Sequence, residues 1–291
     1  MATLDLRPLS LGELLDRTFF LYRRNFLLFL GIGALPYSLL LVVGLAFGVM
    51  AGLARMGGGV PSGAAIVGGV VGGLLILVAA LAFFVALLFS VGATVLAVAE
   101  IYSGHRPTIR GSFRLVRGKA GAIFGVMFLS LLIMIAGFIA LVIPGIYLMC
   151  RIPVATAATV VEDLGPVDGI GRSFGLTRGF AGRSAMIYLL IFALSYGVAL
   201  AFQLPFYILI ALSAKQPQIV LLWTVLLQVS SLVGSLLVTP VNTIAFAVFY
   251  YDLRVRKEAF DLQMMMQAIG GPPVPPAITG GVPSMFGRDA S

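Results

Sequence analysis

The sequence predicts an all-α polytopic integral membrane protein: six transmembrane helices, arranged as three repeats of an amphipathic interfacial helix plus two spans. Three observations carry this reading. Hydrophobic residues make up 60% of the chain and charged residues 10%, with a mean hydropathy of +1.09, whereas soluble domains are roughly half apolar and a quarter charged. The apolar residues come in uncharged runs longer than the ~20 residues a helix needs to cross a hydrocarbon core. A short phrase, Ser/Thr-Phe-x-Leu-x-Arg, also occurs three times, beginning at Thr18, Ser112 and Ser173.

The first interfacial helix is expected over 10–25. Ser10 and Glu13 have capping-box spacing, so each can satisfy the other's orphan amide. Leu11, Leu14, Leu15, Thr18 and Tyr22 then share one face, with Glu13, Asp16, Arg17 and Arg24 mostly on the other. Acidic residues lie among the bases of this segment and it holds no short apolar core, so it does not read as a cleavable leader. The first span follows over about 26–52 and the second over about 65–99. As one helix the second run would extend about 50 Å, well beyond the ~30 Å core, and its Gly-rich beginning is expected to lie partly outside.

A second interfacial helix is expected over 108–118 and a third span over 120–143, ended by Pro144-Gly145. The next stretch, 144–161, contains Arg151 and Pro153, yet is mostly apolar and long enough to cross as a short helix. Charge decides the matter. If it crosses, nearly all Lys and Arg residues fall on one side and the opposite loops keep only Arg55 and Lys215; if it does not, the asymmetry collapses. The third interfacial helix spans 166–180, with Pro166 as first helical residue and Asp168 in the first turn, where a carboxylate suits the helix dipole. Spans at 184–212 and 217–251 complete the set. Because each repeat holds an even number of spans, all three phrases face one compartment.

Beyond the last span, a cytoplasmic helix over 252–267 is expected, laced by the i,i+4 pairs Asp252–Arg256, Arg254–Glu258 and Lys257–Asp261, which point to a solvated helix. Residues 270–291 are Pro- and Gly-rich without periodicity and read as a disordered tail, leaving 1–269 as one transmembrane domain. The net charge of +8 is assigned to positive-inside topology and anionic lipid, not nucleic acid. This topology places the protein in the inner (cytoplasmic) membrane with both termini cytoplasmic.

The phrases RTFFLYRRNF, IPGIYLMCRIPVATAATVVE, GIGRSFGLTRG and YYDLRVRKEAFD, taken in that order, resemble the membrane domain of the glycerophosphoryl diester phosphodiesterase family and its six-helix bacterial relatives. The resemblance covers roughly Leu9 to Leu262. It implies a six-span membrane domain, which in some relatives is fused to a phosphodiesterase that this sequence does not contain.

Chemistry is sparse. One histidine, His105, and one cysteine, Cys150, fall short of the three or four protein ligands of a zinc site. No catalytic, cofactor-binding or metal-binding residue is assigned, and no enzymatic activity is expected. Arg151 stands out, since charges inside spans are rare and usually functional; it can snorkel toward the outer turn about 10 Å away or line a polar intramembrane site with Glu100, Gln203 and Asn242. The arginines that end the three phrases, Arg23, Arg117 and Arg178, are candidate interfacial contacts for anionic headgroups or a protein partner. Two functions follow: a non-catalytic membrane scaffold or accessory protein with a basic cytoplasmic surface, or a small transporter or channel with a polar site near Arg151.

Overall fold

A computed structural model describes residues 8–56 and 62–258. Among them the regular structure is wholly helical: α1 (Leu11–Arg24), α2 (Phe26–Met56), α3 (Ser62–Tyr102), α4 (Ile109–Ala140), α5 (Val142–Arg151), α6 (Ala155–Val161), α7 (Pro166–Thr177), α8 (Ala181–Leu212) and α9 (Pro217–Glu258). Six segments are long and apolar enough to cross a membrane: Phe26–Gly44, Val70–Tyr102, Ile109–Ala140, Val142–Val161, Ala181–Leu212 and Gln218–Glu258. The fold is therefore the all-helical, six-span class that the apolar runs require.

Local signals explain most helix ends. In α1 both capping-box bonds form: the Ser10 amide donates to Glu13 Oε2 at 2.7 Å and the Glu13 amide to Ser10 Oγ at 3.2 Å. The side-chain amide of Asn25 donates to the Leu21 carbonyl at 3.2 Å, and this single residue separates α1 from α2. Thr108 caps α4 by accepting from the Gly111 amide, and Pro166 opens α7 with Asp168 in its first turn. Gly179, at φ +84°, turns the chain from α7 into α8, a left-handed conformation that costs glycine little.

Several boundaries differ from expectation. The interfacial helix expected at 108–118 and the span at 120–143 are one helix, α4, because Gly118-Lys119-Ala120-Gly121 contains no proline or cap to stop it. That helix ends at Ala140, before Pro144, and Leu141 turns the chain in extended geometry. Pro144 then sits in the first turn of α5, where its missing N–H would have no intrahelical partner anyway. The segment expected as one short helix over 144–161 is two, α5 and α6, broken at Ile152–Val154 where Pro153 withholds a donor. The last span and the described part of the expected 252–267 helix are likewise continuous in α9. The tail at 270–291 and Asp261 lie outside the described residues.

The buried core is concentrated at one end of the bundle. It draws Leu14 and Leu21 from α1, Ala93 to Val98 from α3, Val116 and Ile123 from α4, Val154 to Val160 around α6, Leu176 from α7, and Val241 to Leu253 from α9. Toward the other end, large side chains such as Leu77 on α3, Ile139 on α4, Leu212 on α8 and Leu221 on α9 are exposed. In water this would be an aggregating surface; in a bilayer it is the face that meets acyl chains.

Candidate functional site

The break in α5–α6 sets the geometry of the charged end. With the helix interrupted at Pro153, the Arg151 carbonyl has no helical amide, since the Ala155 amide turns to Ile152 instead. Ser173 Oγ of α7 supplies the missing donor at 2.8 Å, and Thr177 Oγ1, 3.2 Å from the same carbonyl, shares its one proton between it and the Ser173 carbonyl at 2.7 Å. The Arg151 side chain crosses to the same helix, and its Nη2 donates to the Phe174 carbonyl at 2.7 Å. Its guanidinium lies 5.3 Å from the Phe174 ring centroid and 5.8 Å from that of Tyr147. Lys257, at the end of α9, donates to the Gly175 carbonyl at 2.7 Å and the Arg178 carbonyl at 2.9 Å. Two cations thus occupy the carboxyl end of α7, where orphan carbonyls and the negative pole of the dipole favour them.

Arg151 therefore turns inward onto α7 rather than snorkelling to the outer turn, and the expected cluster with Glu100, Gln203 and Asn242 does not form. Gln203 lies on α8 and its Nε2 donates to Ser231 Oγ at 3.3 Å. Asn242 is exposed on α9. Glu100, near the end of α3, is half-buried and its Oε2 is buried without a hydrogen-bond partner. Three different helices hold these groups because α3, α8 and α9 each follow their own apolar register, and nothing draws their polar residues to Arg151.

The end of α9 is no solvated helix. Asp252 is fully buried: its carboxylate accepts from Arg256 Nε at 3.0 Å, pairs with Arg183 Nη2 at 3.2 Å, and accepts from the Leu9 amide at 2.8 Å. The Leu9 carbonyl in turn accepts from Arg183 Nη2 and, at 2.5 Å, from Arg256 Nη2. Two arginines and one aspartate so grip the residue just before the α1 cap. A second cluster joins α6, α7 and α9. Glu162 accepts from Arg172 at 2.7 and 3.0 Å and from the Tyr250 hydroxyl at 2.7 Å, while Glu258 pairs with Arg172 at 2.5 Å and Arg254 at 3.1 Å. Burial alone would lower the Arg172 pKa, but the two glutamates outweigh it and hold the guanidinium above its ordinary value. Sequence spacing identifies the i,i+4 pairs; the partners Arg183, Glu162 and Arg172, remote along the chain, carry no signal at that level.

The three phrases share a burial pattern. Their hydroxyl residues, Thr18, Ser112 and Ser173, are each 0% exposed, whereas Arg23, Arg117 and Arg178 are all exposed and their side chains form no ion pair with described residues. Arg24, Arg106, Arg110 and Arg114 are exposed as well. The phrase thus puts a small hydroxyl against the core and a cation outward.

Two cavities lie near polar groups. One of about 260 Å³ at the charged end is lined by Tyr102, Ser103, Lys119 and Tyr251; Lys119 there is tied to Asp163 and to the Val160 carbonyl. The other, about 330 Å³, sits among α2, α8 and α9 and is lined by Tyr37, Ser195, Gln203, Ser231 and Thr239. Among the described residues no group of three or more His, Cys, Asp or Glu side chains is placed to hold a metal ion.

Six segments long and apolar enough to cross a membrane, with part-buried ion pairs linking α6, α7, α8 and α9 at one end, define a multi-pass helical membrane protein. A family model described as a domain of unknown function, DUF7847, matches residues 121–253. That stretch runs from within α4 to near the end of α9 and contains Arg151, Glu162, Arg172, Arg183 and Asp252. No curated protein matches the chain, and no solved structure does.

Proposed function

We propose that the protein is a non-catalytic membrane scaffold or accessory protein of the inner (cytoplasmic) membrane. In this reading both termini are cytoplasmic, the chain is three repeats of a phrase-bearing helix and two spans, and it resembles the six-span membrane domain of the glycerophosphoryl diester phosphodiesterase family. Its cytoplasmic face binds anionic headgroups, or a partner of like charge, through Arg23, Arg117 and Arg178. One observation carries this: the cations of the charged end divide into two sets. Arg151, Arg172, Arg183, Arg256 and Lys257 are spent on internal carboxylates and carbonyls, while the phrase arginines point outward without partners among the described residues. Exposed arginines beside a bilayer attract anionic lipid at about 1 kcal/mol each.

The test is lipid analysis of protein purified in mild detergent. Changing Arg23, Arg117 and Arg178 together to Gln is expected to lower co-purifying anionic phospholipid several-fold relative to neutral lipid. Unaltered lipids and partners would end the docking idea. A reporter fused after Val160 that reads periplasmic would sink the topology.

A second reading, a small transporter or channel, is favoured by the hydroxyl-lined cavity among α2, α8 and α9. It moves the expected polar site from Arg151 to Gln203, Tyr37 and Thr239. Gln203→Leu would then abolish transport while leaving the protein inserted, whereas Arg151→Leu would affect stability only.

A further inference from the structure

We propose that the cleft between α2 and α3 seats one acyl chain of an anionic glycerophospholipid, with its phosphate on Arg106 and Arg110. The inference rests on the reading of the charged end as a headgroup-binding face and names a particular site and ligand for it. The cleft has a volume of about 730 Å³, with Leu35, Leu39 and Val42 on one wall and Val78, Val85 and Phe89 on the other. Its hydroxyl, Ser38 Oγ, already donates to the Leu35 carbonyl at 2.9 Å, so the lining asks for hydrocarbon.

Length and direction specify which leaflet. From Val78 to Phe89 the α3 wall rises about 16 Å at 1.5 Å per residue, half of the ~30 Å core and so the depth of a single leaflet. The two helices run antiparallel, and Leu35 and Phe89 mark the end nearer the charged layer. Gly31 lies one turn before Leu35, and a Cβ placed there would come 2.5 Å from Ile109 Cδ1. The first turn of α4 is therefore seated against α2 about 6 Å along the axis from the mouth of the cleft. That turn carries Arg110, and Arg106 stands just before it; both are exposed and neither pairs with a described carboxylate. Hydrocarbon cleft and cations are thus spaced as acyl chain and phosphodiester are in one lipid, and an anionic headgroup best complements two arginines.

The experiment is native mass spectrometry of the full chain released from nanodiscs of equimolar phosphatidylglycerol and phosphatidylcholine. One phosphatidylglycerol is expected to be retained in preference. Ala86→Phe and, separately, Ala82→Phe fill the cleft and should cut that adduct about tenfold, as should Arg106→Gln with Arg110→Gln; variants are compared after helicity and a monodisperse elution are verified. Equal retention of both lipids, or an adduct indifferent to both cleft-filling changes, overturns the site. The wider reading fails separately: it is lost if replacing Arg23, Arg117 and Arg178 leaves bulk anionic lipid enrichment unchanged, whatever the cleft variants do.

Discussion

Replacing Asp252 with Ala removes the buried carboxylate that holds α1 to α9. Its side chain is fully buried and serves Arg183, Arg256 and the Leu9 amide at once. Deleting one partner of a buried ion pair typically costs about 3–5 kcal/mol, because the remaining charge is left without compensation. Both arginines keep some access to solvent and both keep the Leu9 carbonyl as acceptor, which places the loss near the lower end. The Leu9 amide, orphaned in a buried position, adds about 1 kcal/mol or more. The expected total is about 4 kcal/mol. At roughly 2–4 °C per kcal/mol for chains of 150–250 residues, the melting temperature in detergent should fall by about 10 °C. Hydrogen exchange should rise selectively over residues 9–14, since α1 loses its anchor while the apolar spans do not. Asp252→Asn, which keeps an acceptor for the Leu9 amide, should fall between. A decrease below about 3 °C, or exchange spread evenly over the bundle, would refute the idea that this carboxylate is what docks α1.

Four further changes probe the rest of the charged end. Gly169→Ala puts a methyl 1.8 Å from Thr159 Oγ1 and should destabilise by about 1–3 kcal/mol; because that hydroxyl is buried without a partner, adding Thr159→Ala should restore most of the loss in a thermal-shift assay. Lys257→Met removes both bonds from the carboxyl end of α7 and should cost about 0.5–1.5 kcal/mol, seen as faster amide exchange in α7 with α8 unchanged. Arg151→Leu loses the bond to the Phe174 carbonyl but also a buried Nε without a partner, so its net effect should be about 1 kcal/mol. Thr177→Val combined with Ser173→Ala should cost more, because the Arg151 carbonyl is then left unsatisfied.

The apolar runs, the capping box at Ser10 and Glu13, and Pro166 at the start of α7 were all legible because each depends on residues within a turn of one another. The break in 144–161 was half legible: Pro153 marks it, yet whether a proline kinks or divides a helix depends on what receives the freed carbonyl. Here the answer lies in Ser173 and Thr177, twenty or more residues away. Arg151 misled for the same reason. A charge in an apolar run advertises a polar neighbour, and the sequence offers side chains such as Glu100 and Gln203 as candidates, but backbone carbonyls at a helix end leave no mark in composition. Likewise the pairs Asp252–Arg256 and Arg254–Glu258 were correctly spaced and wrongly assigned to solvent, since burial comes from α1, α6, α7 and α8 closing over them.

The grip of Asp252, Arg183 and Arg256 on Leu9 also imposes an order of assembly. Domains tend to form from the amino terminus as a chain is made, but here the carboxylate that anchors the start of α1 arrives only with the charged extension of the last span, 243 residues later. Until that carboxylate is present the Leu9 amide lacks the acceptor it has in the folded protein. The anchoring of α1 therefore closes a loop across nearly the whole described chain, a latch whose two halves lie at opposite ends of the sequence.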